Sequence, residues 1–165
     1  KTYYYKRVYE IIEQEFSGKD KQDIKDLFDT QIELENITKI YRLKKYYNAN
    51  TFEIKKVLNP TYKRIPRKIL DEWIDTTDAE SFLKAVKTHA YDIHIDIKEF
   101  QYIEYQMDTI MFDLNKRLMR FSTNPNIILV SYLSLLEIEI RNIIDIIEGI
   151  RYKVDNDKIA KLLIY

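Results

Sequence analysis

Residues 126–152, NIILVSYLSLLEIEIRNIIDIIEGIRY, decide the fold. The first half is apolar on almost every side: Ile127, Ile128, Leu129, Val130, Tyr132, Leu133, Leu135 and Leu136 are interrupted only by Ser131 and Ser134. The second half sets Glu137, Glu139, Arg141, Asn142, Asp145, Glu148 and Arg151 among isoleucines. Pro125 suits a first helical position, Asn124 can cap the helix, and no breaker follows before Gly149. The pattern predicts one helix of roughly 25 residues, about 38 Å long. A rod this apolar calls for other helices around it. Its unbroken apolar run is about ten residues, half of the about 20 that a membrane span requires, so no direct membrane insertion is expected.

The flanking sequence supplies the other helices. Residues 2–16 place Tyr4, Val8, Ile11, Ile12 and Phe16 at near-helical spacing. After a break at Gly18, with Asp20 as a capping candidate, residues 21–47 read as a second long helix. Asn50 with Glu53 resembles a capping box for a short helix that ends before Asn59-Pro60. Pro66 can open a helix through Trp73, and Thr77 with Glu80 a further one through Lys87. Residues 97–121 carry Ile103, Met107, Ile110, Met111, Leu114, Leu118 and Phe121 on one face, and a last short helix runs to Leu163.

The chain also repeats itself. Residues 32–58, IELENITKIYRLKKYYNANTFEIKKVL, align with residues 138–163, IEIRNIIDIIEGIRYKVDNDKIAKLL. Identical pairs include Ile32 with Ile138, Glu33 with Glu139, Asn36 with Asn142, Tyr46 with Tyr152 and Asn50 with Asn156. One residue is then dropped, and Ile54 pairs with Ile159 and Leu58 with Leu163. Each copy is a long helix, a polar turn and a short helix, preceded by another helix. The expected fold is therefore all-α, with two similar helical lobes, residues 1–88 and 89–165, each a long central helix with a short capping helix. Glu and Asn at i,i+3 share a helix face, and among apolar neighbours they need partners, which neighbouring helix ends can supply. Glu137 with Arg141 and Glu148 with Arg151 have intrahelical pairing distance. Gly149 marks either a close approach or a kink.

EIEIRNIIDIIEGIRY followed by a short helix, and QIELENITKIYRLKKYYN one repeat earlier, resemble blocks of the C subunit of archaeal-type and bacterial V-type ATPases, in the same family as the vacuolar d subunit. Family members are longer and contain three such lobes around a pseudo-threefold axis, so the chain would correspond to the last two. It starts at Lys1 rather than Met, as a fragment would. The resemblance implies a non-catalytic central-stalk subunit that couples the shaft of the soluble motor to the membrane rotor ring during ion transport. It would lie in the cytoplasm, peripheral to the membrane, and carry no cofactor. Its partners would be shaft subunits and the ring; whether proton or sodium is carried belongs to the ring. Structural or interface candidates are Glu33, Asn36, Tyr46, Glu139, Asn142, Gly149, Arg151 and Tyr152. The alternative is a helical interaction scaffold unrelated to rotary ATPases.

Other chemistries find little support. Asp92, His94 and Asp96 alternate in YDIHIDIK and would share one face of a strand, where they could ligate a metal. At a helix start they diverge, and acids there complement the dipole. No second ligand cluster accompanies them, so neither a metal site nor an enzyme built on that stretch is expected. No phosphate loop, dinucleotide fingerprint or nucleophile elbow occurs, so no catalytic residue is assigned. Absence of cysteine removes thiol catalysis and disulfides. Lys44, Lys45, Tyr46 and Tyr47 form a small basic-aromatic cluster, but 27 basic against 27 acidic residues argue against nucleic acid.

Overall fold

The computed structural model describes residues 2–91 and 103–165. Among these the chain is helical, without strands. It divides into two compact units, Lys1–His94 and Ile95–Tyr165.

The first unit holds α1 (Thr2–Glu15), α2 (Gly18–Tyr47), α3 (Thr51–Val57), α4 (Arg67–Thr76) and α5 (Ala79–His89). Its axis is α2, which packs against α1, α3 and α5. Over its middle stretch Ile32, Glu33, Leu34, Asn36, Ile37, Ile40 and Tyr41 are all buried. α1 lays Tyr5 and Ile12 into the core and leaves Tyr4 and Ile11 exposed, so its inner face is turned one residue from the expected one. The Tyr5 hydroxyl donates to Glu35 at 2.5 Å and Tyr9 donates to Asp29, pinning α1 along α2. Trp73 of α4 meets Phe82 of α5 edge-on at 6.4 Å, and Lys55 ties α3 to Asp75 of α4 at 3.0 Å.

The caps show where local sequence decides. Asn50 accepts from the Glu53 N–H while Glu53 accepts from the Asn50 N–H, closing the expected box at α3. α5 is capped one residue later than expected. Asp78 accepts from the Ser81 N–H at 2.7 Å, and Thr77 instead donates its hydroxyl to Trp73 O. The Ser81 N–H, seconded by the Ser81 hydroxyl, holds the Asp78 carboxyl below its ordinary range. α2 starts at Gly18 rather than residue 21, with Ser17 in the cap position and Asp20 in the first turn.

The second unit is a hairpin of α6 (Ile103–Phe121) and α7 (Pro125–Arg151), closed by α8 (Asn156–Ala160). Pro125 occupies the first turn of α7, and Asn124 accepts from the Asn126 N–H at 2.9 Å. Arg141 reaches across to Asp108 of α6 at 2.7 Å instead of pairing with Glu137 on its own helix. Burial of Asp108 outweighs this pairing and raises its carboxyl above the usual value. α7 is not enclosed as its composition demanded. Ile127, Ser131, Ile138 and Gly149 are buried, whereas Leu129, Tyr132, Leu133, Ile140, Ile143, Ile147 and Ile150 are exposed. The enclosed rod of this protein is α2.

Candidate functional site

The repeated asparagines perform one operation in both units. The Asn36 amide donates to Asn59 O at 2.8 Å, and its carbonyl accepts from the Asn59 N–H at 3.0 Å. The Asn142 amide donates to Ile164 O at 2.6 Å and accepts from the Ile164 N–H at 3.1 Å. Continuing the register that pairs Leu58 with Leu163 makes Asn59 the counterpart of Ile164. Each side chain thus grips the chain just past a short helix and folds that helix back onto the long one. An amide suits this task because it presents one donor and one acceptor side by side, the complement of a peptide edge.

The turns between the helices also correspond, but not in the expected register. Asn48 and Lys153 both take positive φ, 45° and 54°, and the Ala49 N–H reaches Leu43 O as the Val154 N–H reaches Gly149 O. Asn50 caps α3 and Asp155 stands in the cap position of α8. The dropped residue therefore falls before this turn. Asn50 and Asn156, identical in sequence, do not occupy matching positions.

Glu33 is a buried hub. Its Oε1 accepts from the N–H groups of Lys63 at 2.9 Å, Arg64 at 3.0 Å and Ile65 at 3.0 Å, and Oε2 accepts from Arg64 N–H at 3.1 Å and the Tyr91 hydroxyl at 2.5 Å. One carboxylate thereby organises the loop that leads into α4 and the segment that follows α5. Burial, then the adjacent Glu33 carboxylate, pushes the Tyr91 phenol well above its ordinary range. The Arg64 guanidinium lies 4.5 Å over the Tyr91 ring and donates to Ala90 O at 3.0 Å. With its lone pairs engaged by four donor groups, Glu33 ties backbone and side chain of distant segments to α2.

Glu139, its sequence counterpart, is exposed on α7. Gly149 is buried because Ile159 of α8 rests on it. A Cβ there would stand 2.5 Å from Ile159 Cδ1 and 2.6 Å from Cγ1. A side chain, not a backbone, makes the close approach. Tyr46 and Tyr152 are exposed at the ends of α2 and α7, and Arg151 lies 5.7 Å over the Tyr152 ring. The basic cluster is drawn into packing: Lys44 donates to the carbonyls of Ile74 at 2.7 Å and Thr77 at 2.5 Å, and Lys45 pairs with Glu80 at 2.9 Å. The bonds made by Tyr91, Asn59 and Lys44 had no signal in the sequence, because their partners lie more than 20 residues away. Asp92, His94 and Asp96 lie outside the described residues. Among the described residues no group of three His, Cys, Asp or Glu could hold a metal ion, and no helix is long and apolar enough to cross a membrane.

No curated protein and no solved structure matches the chain significantly. A family model described as ATP synthase (C/AC39) subunit matches residues 1–162. That match runs through both units and includes every hydrogen bond made by Glu33 and Asn36. The chain belongs to the ATP synthase (C/AC39) subunit family.

Proposed function

We propose that the chain acts as a non-catalytic central-stalk subunit of a rotary V-type or A-type ATPase, coupling the shaft of the soluble motor to the membrane rotor ring in ion transport. The family match is the observation that carries this reading. The helical build supports it. α2 spans 30 residues and α7 spans 27, about 45 and 40 Å at the helical rise. In each unit an asparagine fastens a short helix onto a long one through a pair of hydrogen bonds. Such elements bear load by packing and backbone bonding, and they require no chemistry of their own.

The two lobes, residues 1–88 and 89–165, are read as copies of one ancestral unit. Tyr46, Arg151 and Tyr152, exposed at the ends of the long helices, are the candidate contacts with shaft or ring. The subunit would then sit in the cytoplasm, peripheral to the membrane. Affinity purification of the tagged protein from its native membranes tests the assignment. Shaft and ring subunits should co-purify with it. An intact rotary complex that lacks the tagged chain overturns the reading and leaves a helical scaffold of some other assembly.

A further inference from the structure

The turns that lead from a long helix into a short one differ in length, and the residue at the head of each differs with them. In both units a carbonyl near the end of the long helix accepts the N–H that follows the positive-φ residue. Leu43 O accepts from Ala49 at 3.1 Å, and Gly149 O accepts from Val154 at 2.9 Å. Leu43 and Gly149 thus hold the same place, yet Asn48 follows Leu43 by five residues and Lys153 follows Gly149 by four. Beyond the turn the copies run in step. Ile54 and Ile159 are both buried, and Asn59 and Ile164 are gripped by Asn36 and Asn142. In the second copy Ile159 lies so close to the long helix that a Cβ on Gly149 would meet its Cδ1 at 2.5 Å and its Cγ1 at 2.6 Å. The first copy buries Ile54 against a helix that keeps the full side chain of Leu43 at that place.

We propose that Gly149 and the shortened turn are a matched pair that seats the α8 segment as a clasp on the α6–α7 hairpin, with Gly149 the residue that admits Ile159. One residue of helix is worth about 1.5 Å of rise and about 100° of rotation. Removing it ahead of a turn draws the following segment inward by that step. A close-packed interior allows the step only where the long helix gives up a side chain. Glycine is otherwise unfavourable in a helix, and the seat it gives Ile159 offsets that cost. Isoleucine is branched at Cβ and stiff about χ1, so it cannot easily swing aside for a larger neighbour. Two further ties close the clasp. Asn142 holds both backbone polar groups of Ile164 at 2.6 and 3.1 Å, and the Tyr105 hydroxyl of α6 donates to Leu163 O at 3.3 Å. The segment after α7 is thereby fastened to both helices of the hairpin. Every contact in this inference lies inside one unit, and none depends on the rotary assignment.

Amide hydrogen exchange on the whole chain, read at the Ile164 N–H that Asn142 accepts, tests the pairing. Gly149→Leu, which restores the residue of the first unit, should speed exchange there by about tenfold or more, the scale of an overpacked contact. Insertion of one alanine between Arg151 and Tyr152, which restores the spacing of the first unit, should also speed it, because Ile159 leaves its seat. Combined, the two changes should exchange more slowly than either alone, as coupled neighbours do. A smaller swap gives a second reading. Gly149→Ala should speed exchange in the wild-type chain, and should slow it where Ile159→Ala has cleared the space and only the better helix propensity of alanine is felt. The proposal is overturned if Ile164 in the wild type exchanges as fast as in an unfolded chain, or if Gly149→Leu changes nothing. It is equally overturned if the substitution and the insertion simply add, or if Gly149→Ala has the same sign with and without the Ile159 side chain.

Discussion

α2 and α7 share a motif, yet one is the enclosed axis of its unit and the other lies half open. Glu33 and Glu139 occupy the same register, as do Asn36 and Asn142. The asparagines behave alike because their partner follows 23 residues later in one copy and 22 in the other, just past a short helix that both copies possess. The glutamates behave differently because the partners of Glu33 arrive later, at residues 63–65 and 91. Two equivalent side chains can therefore be a buried hub and a solvated surface group. The difference is set by what packs over them.

The sharpest way to break this comparison is to truncate both glutamates. Glu33→Ala strands three N–H groups, that of Ile65 buried, and the buried Tyr91 hydroxyl, and should cost about 3 kcal/mol. Glu139→Ala should stay within about 0.5 kcal/mol, as for other surface changes. Urea unfolding followed by Trp73, the sole tryptophan and a member of the first unit, measures the former; amide hydrogen exchange along α7 measures the latter. Equal losses would mean that the two sites are not as unlike as their surroundings indicate.

The asparagine pair should give a smaller contrast. Asn36→Ala removes two bonds to a buried peptide and should cost about 2 kcal/mol. Asn142 is partly exposed, so water can replace some of what is lost, and Asn142→Ala should cost about 1 kcal/mol. Thermal unfolding of the single and double variants checks both figures. Additivity is expected between sites that share no partner.

The gentlest probe is pH. Burial, reinforced by neighbouring carboxylates, raises the phenols of Tyr5, Tyr9 and Tyr91 in the first unit. The folded chain keeps protons that unfolded tyrosines release from about pH 10. The stability these groups contribute is thus fully present below about pH 10 and falls as pH rises beyond it. Tyrosinate absorbance during alkaline titration should lag behind that of a denatured sample. Tyr91→Phe should reduce the lag and lower stability by about 1 kcal/mol through the lost bond to Glu33.

Local chemistry was readable where it stayed local. The box at Asn50 and Glu53 and the proline-started α7 follow from neighbouring residues alone. Even so, Asp78 displaced Thr77 as the cap of α5, because the Thr77 hydroxyl had a closer acceptor at Trp73 O. Lys44 looked like one member of a basic-aromatic cluster and instead reaches the carbonyl end of α4. In the first case a local acceptor four residues back offered the better geometry, and in the second a partner 30 residues away did.

Periodicity and the scarcity of glycine and proline were enough to dictate an all-helical chain, and self-similarity was enough to mark out Asn36 and Asn142. Those are properties of short stretches, and short stretches carry the torsional and capping preferences that produce them. Which of two look-alike helices became the buried one was invisible at that level. Enclosure depends on segments distant in sequence arriving over one face and not the other, and nothing in the α2 or α7 sequence encodes that arrival.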